Sequence, residues 1–313
     1  MNACKLAWRV VWAAALLVFT TASPGQTAYK YKDANGQWVF SDNAPPSGTK
    51  QDASFSLGHP TERLQNTIER VDSSNATTFT AINTCLCIAT FQETIIHSDD
   101  PDIADGTRFR KLLQPQSREL LVRVQHPDQP KPDLKFMWTI ALGSPAAEHK
   151  PPGPYRAPFA VGSTYVISQA YPQTYTHTTP DSQYAIDIAL PDGTPVYAAR
   201  DGLVINVRHD AFRGGATAAM MDQANMVSVL HDDGTIALYA HLHWDSIRVH
   251  IGQQVSRGES LGNSGSTGFS TGPHLHFVVV RNADFTPVSV PIEFAGPSGI
   301  AITPVTGRSL TAY

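Results

Sequence analysis

Apolar side chains recur at every second position along most of this chain, in short runs that break at glycine, proline or Asp-rich turns. A period of two belongs to strands with one buried face, because successive side chains of a strand point to opposite sides. From Tyr155 onward, "GTPVYAARDGLVINVRH", "MVSVLHDDGTIALYAHLH" and "HLHFVVVRN" read this way, the second as two strands joined across Asp233-Gly234. "IGQQVSRGESLGNSGSTG" is turn-rich, and no amphipathic helix of more than a few turns is predicted in this part. Upstream, "TTFTAINTCLCIATF", "RELLVRVQH" and "LKFMWTIAL" are strand-like runs separated by "HSDDPDIADG" and "HPDQPKPD", a spacing that predicts a β-sandwich-like domain over residues 70–150. The Pro- and Gly-rich stretch 143–154 reads as a linker. Nearer the start, Tyr29 and Tyr31 alternate with lysines, Asn35-Gly36 is a hairpin turn, and Trp38 and Phe40 alternate on the return. The expected fold class is all-β: a small N-terminal β-hairpin module (29–60), the β-sandwich-like domain, and an antiparallel β-sheet domain with a groove (155–300).

The first residues follow another rule. Lys5 and Arg9 precede the apolar run "VVWAAALLVF" (10–19), which gives way to "TTASPGQTA". A charged start, a short apolar core and small residues after it describe a secretory signal peptide over residues 1–28, with Ala22 and Ala28 as candidate cleavage positions. The run is too short to span a membrane, which takes about 20 residues. The expected location is therefore outside the cytoplasm, in the periplasm or cell envelope or secreted beyond it, with no transmembrane span after cleavage. Cys4 leaves with that peptide, so Cys85 and Cys87 remain. Two cysteines cannot make a structural zinc site. In "TCLCIATF" they read as small residues on one strand face, and an oxidising compartment would allow a strained disulfide between them.

Composition narrows the function classes. The 313 residues suffice for about two domains and a small module, and the net charge is −4. Lys and Arg are scattered with no basic run, which argues against nucleic acid. Of the 12 histidines, most lie after residue 160, which favours a metal or acid–base site there. "TGPHLHF" (271–277) sets His274 and His276 on the same strand face, where apolar side chains would pack better. Asp187 stands between Ile186 and Ile188 in "YAIDIAL", and an aspartate there is costly unless it is paired or metal-bound. His241 ends the apolar strand "LYAHLH", and alternation alone does not separate it from His243. His209, His231, His243 and His250 lie near turns or strand ends, which predicts exposed side chains.

Three spaced segments, "YAIDIALPDGTPVYAARDG", "YAHL" and "GNSGSTGFSTGPHLHF", together resemble the lysostaphin/LytM-type zinc metallopeptidases over about residues 155–295. The resemblance implies a zinc-dependent peptidase domain that cuts peptide cross-links of bacterial peptidoglycan, with one zinc ion per chain. The metal would be held by a first His, by Asp187 and by His276, while His241 and His274 would be the catalytic histidines. Gln183 occupies the usual place of the first ligand, four residues before Asp187. "THTTPDSQYAID" resembles a branch with a longer polar insertion, which makes His177 the candidate. The chemistry implied is zinc-assisted peptide hydrolysis, one of His241 and His274 acting as general base and the other stabilising the oxyanion. It should weaken in acid as the imidazoles protonate. The rival reading is an inactive module of the same fold that binds peptidoglycan or activates an amidase. A third reading is a secreted protease acting on foreign proteins or a competitor's wall. "GNSGSTG" is expected to be a tight turn shaping the groove floor, since no Lys follows for a nucleotide site. The "AYKYKDANGQWVFSDNAPP" segment resembles a short envelope-protein module of unknown function. The upstream β domain is expected either to cover part of the groove, to target the wall, or to act as a spacer.

Overall fold

The computed structural model describes residues 66–313 except 101, 127–131, 174 and 222, together with residue 47 and the backbone of three earlier strands. The chain divides into two compact units, Met1–Pro60 and Thr61–Tyr313. In the first, β1 (Gln26–Lys32) pairs antiparallel with both β2 (Trp38–Ser41) and β3 (Gln51–Leu57). The hairpin expected from the sequence is β1–β2, and β3 extends it by a strand. The Asn35-Gly36 turn and nearly all of the expected signal peptide lie outside the described residues.

The second unit begins with β4 (Thr67–Asp72), β5 (Ala76–Asn83), β6 (Ala89–Ser98), β7 (Arg108–Leu113), β8 (Ser117–Gln125) and β9 (Leu134–Leu142). They form two three-stranded antiparallel sheets, β4-β5-β8 and β7-β6-β9. Ile68, Phe79 and Val124 of one sheet and Phe91, Leu113 and Leu134 of the other close into one buried cluster, as facing amphipathic sheets must. One strand expectation fails here. Cys85 and Cys87 sit in a bend between β5 and β6 and are joined in a disulfide with Cα atoms 5.0 Å apart. Positions i and i+2 of an extended strand are about 6.6 Å apart, so the bridge requires the bend.

From Tyr155 the strands are β10 (Thr164–Gln169), β11 (Ile186–Ile188), β12 (Pro195–Tyr197), β13 (Gly202–Arg208), β14 (Met226–Leu230), β15 (Ile236–Ala240) and β16 (Gln254–Val255). After these come β17 (Ser260–Asn263), β18 (Leu275–Ala283), β19 (Thr286–Ser289), β20 (Phe294–Ala295), β21 (Ala301–Ile302) and β22 (Ser309–Thr311). One nine-stranded antiparallel sheet runs β16-β13-β14-β15-β18-β11-β10-β22, with β19 also on β18. The pairs β12–β17 and β20–β21 stand beside it. Tyr155, Phe159, Ile186, Ile188, Val229, Tyr239 and Phe277 lie in its core. The helical segments among the described residues are two 3-10 turns, Ala218–Met220 and Pro297–Gly299. Among those residues no helix is long and apolar enough to cross a membrane.

The stretch 143–154 has a linker's composition but is tied to both layers. Gly143 donates to Ile88 O at 2.6 Å and accepts from Asn282 Nδ2 at 2.9 Å, and Lys150 N donates to Asp233 Oδ2 at 3.0 Å. The β4–β9 layer meets the large sheet where Cys85 and Cys87 pack with Ile205 and Ile236. Asn282 Nδ2 donates to Thr90 Oγ1 at 2.8 Å beside them, and Arg110 pairs with Asp284 in the β18–β19 turn. These contacts gather toward the β14–β15 and β18–β19 turns. His274, His276 and His241 lie toward the opposite ends of β15 and β18, away from these contacts.

Candidate metal centre and active site

Sheet register assembles the candidate residues. Asp187 of β11 pairs directly with His276 of β18, and His276 pairs on its other side with Ala240 of β15. Residue 241 follows at once and has φ +62°, the left-handed region, at a cost of about 1–2 kcal/mol. The strand ends there, and alternation with it. His241 therefore turns at the end of β15, its ring centroid 4.5 Å from that of His274 and 5.8 Å from that of His276. His243 leaves the group: its Nδ1 meets Trp244 O at 2.6 Å and its Nε2 lies 3.8 Å from Asp192. The ambiguity between these two histidines is resolved by one backbone angle.

His177 reaches the same place along the insertion. Turns at Thr179–Gln183 fold the segment back, and Ser289 N and Oγ donate to Pro180 O. His177 is buried, with Nε2 3.2 Å from Asp187 Oδ2. Its Nδ1–H donates to Ala185 O at 3.2 Å, which leaves the Nε2 lone pair free. His276 Nδ1 lies 2.9 Å from Asp187 Oδ1. The ligand-type atoms of His177, Asp187 and His276 are all within 4.8 Å of one another and could hold a metal ion. Two imidazole nitrogens and one carboxylate suit zinc, and side chains of Asp187 and His276 that are 13% and 16% exposed leave an approach from solvent. Gln183 is exposed and takes no part.

The two remaining histidines are held alike. His241 Nδ1–H donates to Thr267 O at 2.7 Å and His274 Nδ1–H to Gly272 O at 2.8 Å, so in each it is Nε2 that is left for the site. His274 Nε2 stands 4.0 Å from Asp187 Oδ1. Burial, followed by the neighbouring His274 and His276, pushes His241 down to about 3, so it stays neutral at physiological pH. For Asp187 burial opposes ionisation, but the adjoining His177 and His276 imidazoles prevail and hold its carboxyl well below the usual carboxylate range. The "GNSGSTG" turn supplies the Thr267 carbonyl. Gly268 has φ +77°, and a Cβ at Gly265 would sit 2.6 Å from His243 backbone atoms, so the turn closes only with glycine.

Residues 181–287 match the model of peptidase family M23, and residues 15–67 match a domain of unknown function, DUF4124. The chain carries a peptidase family M23 domain. Over 110 residues it is 38% identical to peptidoglycan DD-endopeptidase ShyA of Vibrio cholerae, covering 35% of this chain and 23% of that protein. Over 106 residues it is 40% identical to the DD-carboxypeptidase/endopeptidase Mpg of Neisseria meningitidis, covering 34% and 22%. The chain thus spans less than a quarter of the length of these curated relatives. The catalytic domain of the antimicrobial peptidase lysostaphin from Staphylococcus simulans is 26% identical, with 41% of this chain and 77% of that chain covered at a TM-score of 0.25.

Of the residues singled out in the sequence, the fold brings together His177, Asp187, His241, His274 and His276. His250 is exposed as expected, and His209 and His243 are half-buried. His231 contradicts its expectation: it is buried, because the 143–154 strap and Tyr155 pack over the turn that carries it. Gln169 escaped sequence reasoning. It stands opposite Asp187 in the β10–β11 pair and donates Nε2–H to Asp187 Oδ2 at 3.0 Å. The available signal was a glutamine at the buried alternate position after Ile167, the same anomaly that exposed Asp187.

Proposed function

We propose that the M23 domain is a zinc-dependent endopeptidase that hydrolyses peptide cross-links of bacterial peptidoglycan. One observation carries the reading: a three-donor group and two imidazoles whose Nδ1 atoms are held by backbone carbonyls converge on the adjacent strands β11, β15 and β18. His177, Asp187 and His276 would hold a single zinc. Bound there, zinc supplies Lewis acidity, polarising the scissile carbonyl and making the attacking water more acidic. His241 and His274, each locked through Nδ1–H, would divide the remaining work. One Nε2 would take the proton from the water and, then carrying it, hand it to the leaving amine; the other histidine would support the developing oxyanion when it carries a proton on Nε2. The peptide stems of peptidoglycan lie outside the cytoplasm, so the reading also needs the signal peptide to act and the protein to work in the periplasm or cell envelope.

The test is digestion of purified murein with and without a chelator, with chromatography of the muropeptides. Cross-linked dimers should fall and monomers rise, chelator should stop the change, and added zinc should restore it. A folded, zinc-loaded protein that holds murein yet releases nothing would instead be the binding or activating module.

A further inference from the structure

The detour that brings His177 to the metal group is ten residues long, and something must hold its free side against Asp187. Gln169 does this with one side chain. It ends β10 and is only 5% exposed. Its Oε1 accepts from Tyr175 N at 2.6 Å and from Thr176 N at 3.0 Å. Its Nε2 donates to Thr176 Oγ1 at 2.9 Å and to Asp187 Oδ2 at 3.0 Å. The two backbone N–H groups can only meet an oxygen, so the amide has a single orientation and its NH₂ must face the carboxylate. The residue after Thr176 is His177. A single amide therefore closes a loop at the base of one candidate ligand and engages the other directly.

We propose that Gln169 is a positioning residue of the metal centre, setting how tightly this chain holds zinc by tying the His177 loop to the Asp187 carboxylate. The inference rests on the metal reading above. Its physical content is twofold. A carboxylate with Oδ2 held by an amide loses one direction of rotation, which presents Oδ1 on the side of His276. The loop strand entering His177 gains two backbone hydrogen bonds, which limit how far its imidazole can swing from Asp187. Partners of this kind behind ligating groups typically contribute about 10–100-fold in metal affinity.

Zinc affinity is measured by competition with a chromogenic chelator, and zinc release by transfer to excess chelator, on the whole chain. Gln169→Met keeps the bulk of the side chain and removes all four hydrogen bonds. It should weaken zinc binding about 10–100-fold and speed release by a similar factor. Thr176→Val removes one acceptor while leaving the Asp187 and backbone bonds, and should bind zinc as the wild type does. Thermal denaturation of each metal-free protein separates this from a merely structural role, which would lower Tm without changing zinc affinity once folded. If Gln169→Met does not fold, Gln169→Asn keeps an amide too short to span loop and carboxylate, and the same loss is expected. A folded variant at residue 169 with wild-type zinc affinity overturns the proposal. A wild-type chain that takes up no zinc overturns the metal reading itself, and this inference with it.

Discussion

The β14–β15 hairpin carries a neutral histidine near each end, and only one of them joins the candidate site. Burial pushes His241 down to about 3 and His231 down to about 4. Both give Nδ1 to a backbone carbonyl, Thr267 O at 2.7 Å and Asp201 O at 2.7 Å. The difference lies in what surrounds the other nitrogen. At residue 241, the ring stands beside His274 and His276, which adjoin Asp187. At residue 231, Nε2 is buried with no hydrogen-bond partner, and the ring packs on Tyr155 at 6.0 Å between centroids. Nearby, Arg200 and Asp233 neutralise each other at 2.6 Å, both almost fully buried. A depressed histidine is thus a consequence of burial, and it becomes chemistry only where donors converge and solvent can enter.

The sharpest way to break this comparison is at the metal group. Asp187→Ala and His177→Ala should each lose nearly all zinc by elemental analysis, and murein cleavage should fall to background. Stoichiometric zinc in His177→Ala would remove that residue from the ligand set and return attention to the rest of the insertion. Next in size are His241→Ala and His274→Ala. Each should keep its zinc and lose about 10²-fold or more in cleavage rate, the usual scale of a positioned acid–base group. A variant at either position that cleaves murein at near the wild-type rate would reduce that histidine to the status of His231.

The smallest effect is expected at the other end of the hairpin, and it concerns stability. The folded value of His231, about 4, lies below the ordinary histidine value of 6.5. Between those pH values the unfolded chain binds a proton that the folded chain refuses, so stability falls as pH drops through that window. From pH 7 to pH 5 this costs about 2 kcal/mol, a shift of several degrees in Tm. His231→Asn should therefore show a smaller loss of Tm over that range than the wild type, with murein cleavage at pH 7 unchanged. An equal loss in both proteins would mean that His231 takes up its proton without unfolding.

Much of the fold was legible because alternation is a local property. The strands of the large sheet and the two facing sheets upstream announce themselves through apolar side chains at every second position. Asp187 and the His274/His276 pair stood out for the same reason, as polar groups where burial demands apolar ones. Local reading erred where distant segments intervene. Cys85 and Cys87 looked like a strand, but they sit in a bend that their disulfide closes. His231 looked exposed because it adjoins a turn, and a strap from residues 143–154 covers that turn.

By itself the sequence determined the all-β architecture, the family resemblance and most of the site, since each follows from residue types at short spacings. Tertiary structure alone decided three things. It separated His241 from His243, because a left-handed residue at the strand end cancels the alternation that made them equivalent. It returned His177 to Asp187 across the insertion, because the closure depends on Gln169 and Ser289, residues 8 positions before and 112 after His177. It also set the two histidines of one hairpin apart, because accessibility and converging partners belong to the packed molecule, and no spacing along the chain encodes them.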